Sequence, residues 1–162
     1  MIERQFGIFS VVHGKQTERG IVSMSRPEKP EYYLEIARAV AKRSTCRRRQ
    51  YGAVIVNHDE IVATGYNGAA RGIRDCLERG SCWREENGIP HGEQYEKCMS
   101  VHAEQNAIIS ASRAEMIGAT IYLVGFENGS EIDNPKPCCI CSRMIRNAGI
   151  TTIYNNRGGF YP

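Results

Sequence analysis

The chain lacks any apolar run close to the ~20 residues that a membrane-spanning helix needs. It also lacks a strong charge of either sign. Its 21 lysines and arginines against 18 aspartates and glutamates leave +3, too little for the broad basic face of a nucleic-acid binder. Neither a membrane nor a nucleic acid is therefore an expected partner. No secretory leader is expected either: residues 6–12 are apolar, but Glu3 precedes them and no small-residue cleavage site follows. Internal repeats are absent.

Cysteine is what the chain has in excess, with seven in 162 residues. A secreted disulfide scaffold would be shorter and evenly paired. Clustered with His and Glu, these thiols read instead as metal ligands in a reducing, cytoplasmic setting. The length suits one domain with a substantial core, and 41% hydrophobic with 24% charged residues is ordinary for a globular protein.

Residues 1–29 read as an N-terminal extension, poorly ordered, with Met24 as an alternative start, and residues 30–162 as the domain proper. Pro30 opens a helix through about Arg43, with Tyr33, Ile36, Ala37, Val40 and Ala41 as its buried stripe. Residues 52–56 and 61–66 form a hairpin about the turn from Asn57 to Glu60. Residues 67–97 show no period and need something to hold them. A strand at 120–124, a polar excursion, a helix at 138–147 stopped by Gly149 and a last strand at 151–154 complete the order, with 155–162 a turn-rich tail. Strand–helix–strand at the end favours parallel pairing, while the hairpin is antiparallel, so the sheet is mixed with helices on its faces.

The chemistry concentrates in His102-Ala103-Glu104 and in Pro137-Cys138-Cys139-Ile140-Cys141. One imidazole and two thiolates are three zinc ligands, and a zinc left with an open fourth position is catalytic rather than structural. Such a zinc lowers the pKa of water toward ~7, and the two helix N-termini favour thiolate and hydroxide alike. Glu104, two residues from His102 and turned from the ligand direction, is placed to take the proton and pass it to a substrate ring nitrogen. Cys139 reads as a bystander. Either motif alone is weak; His-x-Glu followed by Pro-Cys-x-x-Cys, each at a helix start, is the zinc deaminase signature.

On these residues the chain resembles the deoxycytidylate (dCMP) deaminase family of the cytidine deaminase-like zinc superfamily. Ser44-x-Cys46 before residues 52–56, and Gly65-Tyr66-Asn67-Gly68, carry the more specific part of the likeness. The resemblance implies a three-layer α/β/α fold about a mixed sheet of four to five strands. It also implies zinc-dependent conversion of dCMP to dUMP, and a hexamer activated by dCTP and inhibited by dTTP. Carried over by position, Asn67 contacts the substrate, Arg48 or Arg49 holds its phosphate, and Arg113 lies near the site and a subunit interface. A guanidinium fork suits a phosphate; the other reading of Arg47-Arg48-Arg49 is a solvated basic turn. Residues 125–136 depart from the family, which passes more directly from strand to Pro-Cys, and the short C-terminal stretch puts a fifth strand in doubt.

Cys46, Cys76, Cys82 and Cys98 remain. Four thiolates make a closed zinc site, and in some dCMP deaminases a second, structural zinc has ligands that Cys46 and Cys76 match. His91 is the substitute if Cys82 points elsewhere; buried thiols without metal are the other reading. Two further functions stay open: a nucleoside or tRNA deaminase on the same machinery, and a zinc-stabilised nucleic-acid-binding module.

Overall fold

Tyr33, Ala37 and Ala41 recur at helical spacing, and they are the buried face of α1 (Lys29–Ala41). Leu34 joins them, and Ile36 and Val40 pack at the margin. This computed structural model describes residues 26–162; residues 1–25 of the expected 1–29 extension, with the alternative start at Met24, lie outside the described residues.

The two apolar runs after α1 form β1 (Arg49–Asn57) and β2 (Glu60–Tyr66), an antiparallel hairpin. His58 and Asp59 turn it with φ of 47° and 67°, the paired positive values of a type I′ turn, whose twist matches the strands. Tyr33 donates from its hydroxyl to Asp59 Oδ1 at 2.7 Å, tying turn to helix. At Gly52 a methyl would sit 2.1 Å from the Ala37 carbonyl oxygen, so α1 lies directly on the β1 backbone.

Residues 67–97, expected as structureless loop, contain β3 (Gly68–Ala69), α2 (Cys76–Arg79) and α3 (Trp83–Glu86). β4 (Ser100–Val101) pairs with β3 and closes the excursion. Then come α4 (Ala103–Ile109), α5 (Arg113–Met116), β5 (Thr120–Glu127), β6 (Ser130–Glu131), α6 (Cys139–Ala148), β7 (Thr152–Asn155) and β8 (Gly158–Phe160). Gly149 ends α6 in the left-handed conformation, φ 88°, as a helix C-cap glycine does.

The main sheet has six strands in the order β2-β1-β5-β7-β8, with β6 alongside β5. β5 and β7 are parallel, joined through α6, and the other pairings are antiparallel. Two of these strands correct the sequence reading. β6 arises inside the polar excursion and β8 inside the tail, both because a neighbouring edge offers backbone partners to short segments without a pattern of their own.

Alternation along β1 and β5 divides the core. Val54, Val56, Tyr122 and Val124 face α1. Ala53, Ile55, Ile121 and Leu123 face the opposite layer, where Ala103 and Ala107 of α4 meet Ile145 and Ala148 of α6. Three layers result, as expected.

The excursion over 128–136 is firmly tied. Arg38 of α1 grips Glu131 through Nε at 2.8 Å and Nη2 at 3.3 Å. Buried Asn155 donates to Asn134 Oδ1 at 3.0 Å and to the Pro135 carbonyl at 2.9 Å. These bonds fix the path of Lys136 and Pro137 toward the site.

Candidate active site

His102 and Cys138 both occupy N-cap positions, the first of α4 and the second of α6. The residue before a helix keeps extended backbone while its side chain turns over the first turn. The His102 amide donates to Gln105 Oε1 at 2.9 Å, fixing the backbone that carries the imidazole. The Cys141 amide donates to Cys138 Sγ at 3.5 Å. Because α4 and α6 lie side by side, the two caps face one another.

His102 Nδ1 is 3.6 Å from Cys138 Sγ and 3.4 Å from Cys141 Sγ, and all three ligand atoms lie within 4.8 Å of one another. Zinc at ~2.3 Å from sulfur and ~2.0 Å from nitrogen in a tetrahedron separates N from S by ~3.6 Å. The donor set therefore fits zinc in both chemistry and spacing. Among the described residues no other His, Cys, Asp or Glu joins this group.

The three ligand groups are electrostatically coupled. Cys138 is brought down to about 3, first by the hydrogen bond from Cys141 and then by His102. Cys141 is pushed up by that same bond and by burial. His102 is raised, chiefly by its bond to Cys138. Glu104, only 4% exposed, has its carboxyl raised by burial against the pull of His102. It stands beside the ligand group without belonging to it.

His102, Glu104 and Cys138 line a cleft of about 390 Å³, with Cys141 buried behind them. Tyr51 and Tyr95 line it, and the Tyr95 ring meets His102 edge-on at 5.1 Å between centroids. Asn67 is buried at its wall. Its Oδ1 accepts from Ser44 Oγ at 2.8 Å and from the Tyr51 amide at 2.7 Å, and its Nδ2 donates to the Arg49 carbonyl at 2.8 Å. Ser44 Oγ in turn accepts from the Cys46 amide at 3.2 Å. The two motifs around Ser44 and Asn67 are thus one latch that holds the start of β1 against the end of β2. Ser44→Ala takes one of two donors from buried Asn67 Oδ1 and the acceptor from the Cys46 amide, and is expected to cost about 1–3 kcal/mol, read by urea denaturation; an unchanged midpoint would show the latch to be idle.

The three arginines named from the sequence fall in different places. Arg48 lines the cleft, with Nη1 donating to the Ile89 carbonyl at 2.9 Å. Arg49 also lines it, but its fork is taken by Glu127 at 2.7 and 2.8 Å, a residue directly opposite across the β1–β5 ladder. Arg113 does not line the cleft; its Nε reaches the Asn147 carbonyl at 3.4 Å. Arg84, Tyr51, Tyr95 and Lys136 are cleft residues that the sequence reading did not single out. Cys139 is exposed at the rim, outside the ligand group.

Cys46, Cys76, Cys82 and Cys98 line a second cavity of about 140 Å³ adjoining the first. Burial, followed by the three neighbouring thiols, pushes Cys76 up to about 11. The four sulfurs converge without reaching the mutual spacing of the first site. His91 is not among the residues around them; it lines the main cleft, 3.5 Å from the Tyr95 hydroxyl.

Residues 27–156 match the family described as the cytidine and deoxycytidylate deaminase zinc-binding region. A deoxycytidylate deaminase of Mycobacterium phage D29 is 38% identical over 135 residues, covering 80% of this chain and 95% of that protein. The Schizosaccharomyces pombe deoxycytidylate deaminase is 36% identical over 128 residues, 79% of this chain but 37% of that longer protein. Among solved structures, the dCMP deaminase of cyanophage S-TIM5 in complex with dCMP and dUMP matches with a TM-score of 0.55 and 26% identity. That match spans 81% of this chain and 82% of the phage chain.

Proposed function

The chain belongs to the cytidine and deoxycytidylate deaminase zinc-binding family, and from that premise we propose that it hydrolyses dCMP to dUMP and ammonia. One observation carries the reading: His102, Cys138 and Cys141 gather their ligand atoms within 4.8 Å, beside a cleft lined by His102, Cys138 and Glu104. Zinc on those three side chains supplies a Lewis acid that makes water a nucleophile at neutral pH.

The protein's own groups do the rest. Glu104 takes a proton from water and delivers it to the ring nitrogen beside the amine-bearing carbon. The water oxygen bonds to that carbon and its remaining proton passes through Glu104 to the amine, so the carbon–nitrogen bond breaks and ammonia leaves as the carbonyl forms. Burial of Glu104 removes competing water from these transfers. Tyr51 and Tyr95 give the cleft apolar walls for a flat base, and Asn67 holds the backbone that carries Tyr51.

Ammonia release from dCMP, CMP, deoxycytidine and dAMP tests the reading. Turnover is expected with dCMP foremost and is expected to vanish when zinc is stripped by chelation. Turnover on none of the four, with zinc bound, would overturn it.

The proposal extends to a second, structural zinc on Cys46, Cys76, Cys82 and Cys98, supported by their convergence on one cavity. Metal analysis near two per chain is expected; a value near one, with Cys76→Ser as stable as the parent, would reject it. A homo-hexamer answering to dCTP and dTTP is proposed likewise, in the cytoplasm, where seven unpaired thiols stay reduced. Ile109 and Ile117, 73% and 55% exposed, offer apolar surface for contacts between copies. Among the described residues no helix is long and apolar enough to cross a membrane.

A further inference from the structure

Arg84 lines both cavities, on α3, and is 6% exposed. Its Nη2 donates to the Pro90 carbonyl at 2.6 Å, and its guanidinium lies over the Tyr95 ring at 5.0 Å. Nη1 is fully buried and has no hydrogen-bond partner among the described residues. No carboxylate pairs with Arg84 there, nor with Arg48 or Lys136, which line the same cleft. A charge taken out of water without a counter-charge is costly, and an unused donor adds to the cost. An anionic ligand removes both penalties at once.

We propose that Arg84 is the residue through which the cleft holds the phosphate monoester of its substrate, and so sets the preference for nucleotide over nucleoside. The proposal rests on the deamination reading above. Arg49 cannot serve in that way, since Glu127 already fills its fork. Tyr95 carries Arg84 over its face and meets His102 in a T-shaped contact. One aromatic ring thus separates the guanidinium from the metal ligands, a spacing that a nucleoside monophosphate bridges with its base at one end and its phosphate at the other. Arg48 and Lys136 add charge around the same anion.

The test compares kcat/KM on dCMP and on deoxycytidine for the parent, Arg84→Gln and Arg84→Lys, with zinc content measured in each. Arg84→Gln is expected to lose roughly 100-fold on dCMP, through KM, and to keep its rate on deoxycytidine within about threefold of the parent. Arg84→Lys keeps the charge but loses the fork, and falls between. Inorganic phosphate or dUMP is expected to raise the Tm of the parent but not of Arg84→Gln. Equal losses on both substrates, or an undiminished preference for dCMP, would overturn the assignment. Should Arg84→Gln fail to fold, the same comparison on Arg84→Lys decides, a loss of preference under about threefold counting against it. A parent that deaminates neither compound refutes the deamination reading; the phosphate-induced Tm shift, which needs no turnover, then judges Arg84 alone.

Discussion

Glu104→Gln is expected to lower kcat on dCMP by about 10³–10⁴-fold while zinc stays bound. The substitution keeps the shape of the side chain and removes its ability to accept a proton. Two proton transfers depend on that one group, from water to the ring and then to the departing amine, so the loss falls at the upper end of the general acid–base range. Glu104 is not one of the three clustered ligands, which is why metal content should survive. The neutral amide also relieves the cost of a buried charge at a site only 4% exposed, so thermal stability is expected to hold or rise. The experiment needs three readings on one preparation: ammonia release, zinc per chain and Tm. A variant with full zinc and more than a tenth of the parent rate would remove Glu104 from the chemistry. A zinc-stabilised binding module, by contrast, would pass through the same substitution with its function intact.

How far the sequence disclosed this site depended on whether local geometry or distant partners placed each group. His102 and Cys138 were legible because an N-cap residue points its side chain over its own helix start whatever the rest of the fold does. Cys141 followed, one helical turn from Cys138. The hairpin about His58 and Asp59 and the stop at Gly149 are local in the same sense. Of the arginines that line the cleft, Arg48 is legible in its basic run and Arg84 is not. Arg47-Arg48-Arg49 looked like a phosphate cluster, but Arg49 stands opposite Glu127 only because β1 and β5 pair in that register. Arg84, in the run Trp83-Arg84-Glu85-Glu86, reads as solvated surface; it is buried because the chain from Trp83 to Pro90 folds back over it and Tyr95 covers its face. β6 and β8 are two and three residues long, too short for any period, and exist because β5 and β7 present open edges. The four-cysteine cavity was anticipated as a grouping, whereas the separations of its sulfurs depend on loops with no pattern of their own.

Gly65→Ala is expected to show how strictly the site depends on the sheet beneath it. A methyl at Gly65 would lie 2.3 Å from both the Ala103 carbonyl oxygen and the Ala107 amide nitrogen, and 2.9 Å from the Asn106 carbonyl carbon. All three are backbone atoms of α4, so no rotamer change relieves the clash. Either α4 shifts off β2 or the fold loosens. Overpacking a core typically costs about 1–3 kcal/mol, and backbone against backbone puts this case at or above the upper end, a large part of a domain's ~5–15 kcal/mol. A helix that shifts carries Glu104 with it and moves His102 at its cap, and ~1 Å of misplacement costs about 100-fold in rate. Gly52→Ala is the control, since its methyl would meet the Ala37 carbonyl oxygen of α1 on the opposite face. Both variants are expected to melt well below the parent. At a temperature where both remain folded, Gly65→Ala should lose kcat and zinc affinity, while Gly52→Ala keeps them. If the two variants lose activity in step with stability alone, the seating of α4 on Gly65 is a matter of packing and has no separate hold on the metal site.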